Sequence, residues 1–495
     1  MNLLSRIETI GNRLPDPATL FLIGTVLVFI VSGLVALLGW NVESPLGETL
    51  QANNLLSANG IWWLLSNMVD NFIRFPPLGI VLVGMLGIGL AESSGLLPVL
   101  LRAVTAHTPQ VLLTPAMVFI GIMSSMALDA GYVVLPPVAA VLYLSAGRPP
   151  LAGIAAAFAG VSAGFSANLL ITAVDPLLAG FTQSAATIID PDYQVAVTAN
   201  WWFMLVSTPL LTLAGWAVTA WYVEPRLKQE SFGQEPLPAS AGINRFQDKG
   251  LLNAILAGIV LVVITMYMIF VPGAPLSGKG THFARWIEAT VPLLFIFFFI
   301  PGIVYGITAG TIRNDRDAAR ILGETIARLG PYIVLAFFAA QFIESFKYSH
   351  LGEMLAISGG EALANLDTGS PLLLSGFIVM VILANLLIGS ASAKYALMAP
   401  VFVPMLMLTG ISPELTQAAY RVGDSVSNVI TPLNPYMIII LAEVKRYSKD
   451  SGLGTVVAMM LPYTVIFALL WSLLLVAWVI LGLPPGPGAT LHFAL

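Results

Sequence analysis

The residues able to do chemistry in this chain sit where an apolar sequence abruptly turns polar. Residues 421–435 read RVGDSVSNVITPLNP, in a chain that is 57% hydrophobic and 9% charged. A charge at the centre of a bilayer costs at least ~2.5–3.5 kcal/mol, and proline removes a rung of the helix ladder. The stretch must therefore face protein or water, and it is expected to be unwound from Arg421 to Pro435. Three other stretches share its character: SSMALDAG at 124–131, SAGFSAN at 162–168 with Thr172, Asp175 and Pro176 beyond it, and GSASAKY at 389–395. Hydroxyl, amide and free carbonyl oxygens suit a hard cation such as Na+, and half-helix N-termini suit an anionic group. Ser124, Ser125 and Asn168 form one candidate ion site; Ser390, Ser392, Asn428 and Thr431 form its counterpart. The alternative is that these groups only bond helix to helix.

Asp424 is the foremost single candidate, because an acid at this depth pairs, titrates or binds a cation. It either serves substrate or coupling ion, or pairs with Arg421 three residues earlier on the same helical face. Arg421 is suited to hold a substrate carboxylate in two hydrogen bonds. Asp175 repeats the logic of Asp424. Asp129 either titrates or caps the second arm of its hairpin. Lys394 is read as a fixed charge beside the second tip, and Tyr395 as a ring that stacks on an aromatic substrate or simply packs. Pro413 and Pro432 are mechanical, one starting a helix and one holding its break open. Glu92 and Glu344, near span ends, are read as solvated. The four histidines show no metal-ligand spacing.

The elements that must position these groups follow from composition and apolar length. A soluble domain carries roughly 25% charged residues, so this is a polytopic membrane protein with a mean hydropathy of +0.88. The absence of cysteine removes disulfides and thiolate chemistry. No Walker or phosphate-cradling glycine pattern and no basic cluster with interleaved aromatics occurs, so neither ATP use, nor a cofactor, nor a nucleic-acid partner is expected. Arg6 and Arg13 precede an apolar run with no cleavage site after it, which reads as an anchor and not a cleaved signal.

With about 20 residues needed to cross, nine spans are expected: 18–40, 77–97, 152–183, 201–222, 251–271, 289–309, 332–346, 413–441 and 456–480. Two re-entrant hairpins, 109–146 and 372–409, dip in and return. The third and eighth spans are broken. An interfacial helix carries Trp62 and Trp63, and a surface helix covers 313–328. From a cytoplasmic N-terminus, fifteen of the 21 Lys and Arg fall inside and four outside, as the positive-inside bias requires. Lys394 and Arg421 remain at membrane depth.

A shift of 263 positions superposes Pro137 on Pro400, Gly147 on Gly410, Pro150 on Pro413, Gly160 on Gly423 and Ser162 on Ser425. A gap of about three residues then pairs Asn168 with Asn428. One hairpin enters from each side, so the halves are read as inverted repeats, a plan shared by many secondary transporters. The first repeat covers 1–225, a loop and linking span 226–286, and the second repeat 287–495. The fold class is an all-α polytopic membrane protein.

GSASAKYALMAPVFVPM and SPELTQAAYRVGDSVSNVITPLNPY resemble the signature of the AbgT family of bacterial transporters, as do RIETIGNRLPDPATLF and DAGYVVLPPVAAVLYLSAGRPPLAGIAAAFAGVSAGFSANLL. The resemblance covers nearly the whole chain. It implies nine transmembrane helices, two hairpins, a homodimer and a basin open to the cytoplasm. It implies p-aminobenzoyl-glutamate and sulfonamide antimetabolites as substrates, with family members described both as uptake systems and as exporters. Carried over by position, the family's functional residues are Asp175, Pro413, Arg421, Asp424 and Pro432. Tyr395 stands where several relatives have tryptophan. The expectation is an ion-coupled transporter in the bacterial inner membrane, preferably a proton-driven exporter. The alternatives are an H+ or Na+ symporter importing aminobenzoyl-glutamate, a channel, and, remotely, an intramembrane aspartyl hydrolase using Asp175 and Asp424.

Overall fold

The computed structural model describes residues 15–43, 49–106, 109–127, 130–227, 245–365 and 368–494. Helix α1 (Pro17–Leu38) starts on an Asp16 cap with proline at its first turn and ends on left-handed Gly39. A ribbon of two three-residue strands, Asn41–Glu43 and Thr49–Gln51, is the β-structure among the described residues. Helices α2 (Ala58–Ile73), α3 (Pro76–Ser93) and α4 (Leu96–Ala106) follow. Trp62 is exposed, whereas Trp63 stacks on Tyr348.

The stretch expected as the first hairpin forms α5 (Leu113–Met123), a 3-10 turn at Ser124–Ala127, and α6 (Ala130–Ser145). Asp129, the acid expected at its tip, lies outside the described residues. Helix α7 (Pro150–Phe158) widens into a π-turn at Ala159–Ala163 and then breaks; α8 (Val174–Ala186) resumes beyond. Next come α9 (Trp201–Val218), α10 (Arg245–Phe270), α11 (Thr290–Ala309), α12 (Asp315–Arg328) and α13 (Gly330–Tyr348). Helix α14 (Leu351–Ala364) was not anticipated; its glutamates and paired glycines interrupt the apolar pattern that marks a span. The second hairpin is α15 (Ser370–Asn385) and α16 (Ala391–Met407), and the second broken helix is α17 (Pro413–Ser427) and α18 (Met437–Tyr447). Helix α19 (Leu453–Ile480) closes the bundle, and residues beyond it return so that the Ser412 hydroxyl, the α17 cap, donates to the Thr490 carbonyl at 2.6 Å.

Among the described residues, six helical stretches, one of them α2 and α3 taken together, are long and apolar enough to cross a membrane, or seven if α12 and α13 count as one bent span. The chain is a multi-pass, all-α membrane protein. The broken helices fall outside that count because neither half spans alone.

The core is built around those halves. All fifteen residues of α17 are buried, and so are all residues from Pro150 to Ala163. Helix α17, the most polar membrane segment, is enclosed by α8, α15, α16 and α19. It meets the hydrocarbon constraint by touching no lipid at all. Its N-terminus carries Pro413 in the first turn, as expected.

Unwinding begins at Asn428, not at Arg421. Pro432 offers no N–H to the Asn428 carbonyl and disfavours helix at Thr431, so the proline sets the break four residues ahead of itself and leaves Arg421 and Asp424 helical. The repeat register also has a packing meaning. A Cβ on Gly160 would lie 2.3 Å from the Val118 carbonyl oxygen, and one on Gly423 would lie 2.7 Å from the Val381 Cβ. Positions 118 and 381, like 160 and 423, are 263 apart. Each glycine therefore lets a broken helix close onto the first arm of its own hairpin.

Gly160→Ala and Gly423→Ala should each cost roughly 1–3 kcal/mol through overpacking, read as lowered melting temperatures in detergent. Gly258→Ala in α10, where nothing lies within 4 Å, should cause no loss. Similar behaviour of all three variants would remove the packing role.

Candidate functional site

Two charged pairs lie at the junction of the broken helices. Arg421, on α17, donates from Nη2 to the Asp175 carboxylate at 2.7 Å. Asp175 sits in the first turn of α8, where a carboxylate meets free N–H groups, and its other oxygen accepts from the Thr172 amide and hydroxyl at 2.6 and 2.9 Å. Lys394, on α16, places its ammonium 2.5 Å from Asp424 Oδ1 and also donates to the Asn385 amide oxygen. Lys394 is 0% exposed and Asp424 1%. The Arg421–Asp424 pairing considered from their spacing is replaced by these two longer-range pairs. Helical neighbours three apart can meet, but each of these charges has a better-aimed partner on another helix.

Two serines related by the 263-residue shift link the breaks reciprocally. Ser425 Oγ accepts from the Ser166 amide at 3.2 Å, and Ser162 Oγ accepts from the Asn434 side chain at 3.2 Å. Asn168 and Asn428 both stand at the edges of breaks. Asn168 donates to Ser125 Oγ at 2.9 Å, so these two candidates lie side by side. Ser124 and Ser125 donate to carbonyls of α5 at 2.7 and 2.9 Å. The second site is arranged differently from expectation. Asn428 accepts from Asn385, at the end of the first hairpin arm, at 2.8 Å. Ser390 and Ser392 face each other at 3.3 Å, with Ser390 capping α16. Thr431 Oγ1 accepts from the Leu433 amide within the break. There the Asn385 amide oxygen also accepts from the Lys394 ammonium.

A cavity of about 270 Å³ opens beside Asp424, lined also by Phe165, Ser166, Tyr332, Ser392 and Tyr420. Tyr332 and Ser392 are shared with a larger cavity of about 520 Å³ that reaches Asp16 and Pro17 at the start of α1. The two cavities thus lie on either side of Tyr332 and Ser392, one toward the head of α1 and one toward Asp424. Tyr395 does not face this space. It is fully buried, tilted against Tyr420 with centroids 4.2 Å apart, and its hydroxyl lies 2.6 Å from Thr182 Oγ1. The aromatic wall is formed by Tyr420, Phe165 and Tyr332 instead. Pro432 is half-buried within the second break.

Sequence reasoning passed over Tyr420, Gln417, Glu414 and Asn385. The spacing of Glu414, Gln417, Arg421 and Asp424 marks one polar stripe on α17, a signal present in the sequence. Buried Glu414 accepts from the Tyr193 hydroxyl at 2.9 Å. Arg421 Nε and Gln417 Nε2 are buried donors without a hydrogen-bond partner. Glu92 and Glu344 are half-buried rather than fully solvated. Among the described residues, no three His, Cys, Asp or Glu converge as a metal site.

A sequence model described as the AbgT putative transporter family matches residues 2–493. The p-aminobenzoyl-glutamate transport protein of Escherichia coli K12 is 35% identical over 491 residues, 97% of this chain and 95% of that protein. The crystal structure of the YdaH transporter of Alcanivorax borkumensis aligns with a TM-score of 0.92 at 42% identity, covering 96% of this chain and 100% of that one. MtrF of Neisseria gonorrhoeae, which illuminates a class of antimetabolite efflux pumps, aligns at 0.92 and 43% identity over 99% and 100%. These relatives are transporters and not enzymes, which sets the hydrolase alternative aside. Asp175 and Asp424, each held by its own cation, are also no carboxylate dyad.

Asp175→Asn leaves the Arg421 guanidinium buried without its counter-charge and should cost about 3–5 kcal/mol. Arg421→Met with Asp175→Leu should recover most of that in thermal midpoint. A neutral Asp175→Asn would show that the pair contributes nothing to the fold.

Proposed function

Because the chain belongs to the AbgT family of transporters, we propose that it is an ion-coupled secondary transporter working by alternating access. Its substrates are p-aminobenzoyl-glutamate-like compounds and sulfonamide antimetabolites. The observation that supports this most is Asp424 closing a cavity where two helix breaks meet. Both substrate groups share a para-substituted arylamine. Its N–H groups suit the Asp424 carboxylate, and its ring suits the wall of Phe165, Tyr332 and Tyr420. The glutamate carboxylates suit Arg421, whose Nε is a buried donor awaiting a partner. A sulfonamide lacks the dicarboxylate and leans less on Arg421.

In this reading the nine spans and two hairpins form inverted repeats, with the N-terminus in the cytoplasm of a bacterial inner membrane. The charge bias of fifteen against four supports that side. Helix α10 is hardly buried against its own chain, and its apolar length is assigned to lipid and to a second copy in a homodimer. Ser125 and Asn168 are the Na+ candidates of the first half. Export by proton antiport is the preferred direction.

Purified protein in vesicles tests this. An acidic lumen should drive accumulation of labelled p-aminobenzoyl-glutamate and of a sulfonamide, since protons leave as substrate enters. Accumulation driven by external acid or external Na+ would reassign the protein as an importing symporter. If no gradient moved either compound, the substrate class would fall.

Arg421→Ala should weaken aminobenzoyl-glutamate transport on the order of ten- to a hundred-fold, the worth of a charged hydrogen bond, and sulfonamide transport far less. Equal losses would sink the division of labour.

A further inference from the structure

Lys394 is the least expected buried group in the molecule. A lysine normally keeps its ammonium in water by extending its stem, yet this one is wholly enclosed. Its surroundings are oxygens: Asp424 Oδ1 at 2.5 Å and the Asn385 amide oxygen. Around them Asn385 donates to the Asp424 carbonyl, Ser427 Oγ and Asn428 Oδ1 at 3.0, 2.9 and 2.8 Å. The Tyr420 hydroxyl lies 3.2 Å from Asp424 Oδ1. A carboxylate, an amide oxygen and a helix break together make the kind of cage that holds an alkali cation.

The first half has no such ammonium. The 263-residue shift pairs Lys394-Tyr395 with Gly131-Tyr132, ahead of the matched prolines 137 and 400. At Gly131 a Cβ would lie 2.1 Å from Ser124 Oγ, so no side chain fits where the second half carries lysine. The first half keeps its oxygens at Ser125 and Asn168, with glycine at the position that corresponds to Lys394.

We propose that the Lys394 ammonium is a tethered cation occupying, in the second half, the oxygen cage that a free alkali cation would otherwise fill, so that any coupling Na+ binds only in the first half. The inference rests on the transporter reading for its meaning in the transport cycle, but its test is a binding measurement that needs no substrate. Failure here therefore leaves the transport assignment standing.

The test compares the thermal midpoint of purified protein in sodium chloride and in choline chloride, at equal ionic strength and one mildly alkaline pH. Lys394→Ala removes the tethered charge and leaves Asp424 facing a vacated cage. It should gain a stabilisation by Na+ of several degrees beyond any that the unmodified protein shows. Lys394→Ala with Asp424→Asn, which lacks the carboxylate, should lose that gain. A Lys394→Ala protein no more sensitive to Na+ than the unmodified one overturns the proposal. So does a variant that cannot be recovered even in sodium, because the ion meant to fill the cage would not have done so. The unmodified protein supplies an arm free of folding problems. Its own Na+ response should be absent or follow a Hill coefficient of about one, and a coefficient approaching two would mean a second free ion and would also overturn the proposal.

Discussion

A charge placed below the headgroups has to be neutralised by something the fold brings to it, and the structure is arranged around meeting that demand at α17. The helix carries an arginine and an aspartate, and hydrocarbon accepts neither at acceptable cost. Other helices enclose every residue of it. Arg421 and Asp424 reach partners on α8 and α16 rather than each other, and Glu414 accepts from the Tyr193 hydroxyl. Pairs of this kind roughly offset their own desolvation at best, so they are better understood as fixing which helices meet than as sources of stability. The glycine at 423 and the breaks around α17 serve the same end, by letting backbone come close enough for those partners to reach.

Broken helices then become useful. Where the ladder stops, carbonyls and amides stay unpaired unless side chains or a ligand satisfy them. Here asparagines and serines do much of that work. Asn385 stitches α15 to α17, and Asn434 holds the second break closed on Ser162. What stays open is the space between Tyr420, Phe165 and Asp424, a cavity with an aromatic wall and one charged end.

Much of this was legible in the sequence, for a physical reason. In an apolar chain every polar cluster stands out, and the cost of facing lipid tells where it must go. The helix breaks and the 263-residue register were therefore readable, as was the burial of Asp175, Arg421 and Asp424. The partners were not. Arg421 and Asp175 lie 246 positions apart, and spacing along one helix suggests only the neighbour three residues on. Tyr395 looked available for stacking because its type suits it, yet its hydroxyl is held by Thr182 and its ring lies on Tyr420. The edge of the break was misplaced because charge drew the eye, while Pro432 set the boundary. Helix α14 was missed because its composition is too mixed to read as a span.

The two buried pairs differ in one respect that bears on energetics in a living cell. Arg421 and Asp175 join opposite halves of the molecule, whereas Lys394 and Asp424 both belong to the second half. In the proposed rocking of one half against the other, the Arg421–Asp175 pair spans the boundary and the Lys394–Asp424 pair does not. A plus and a minus carried together have no net charge, so membrane voltage does no work on them. In the proposed cycle that pair adds no voltage-dependent work, which is left to cargo, free ions and the separation of Arg421 from Asp175.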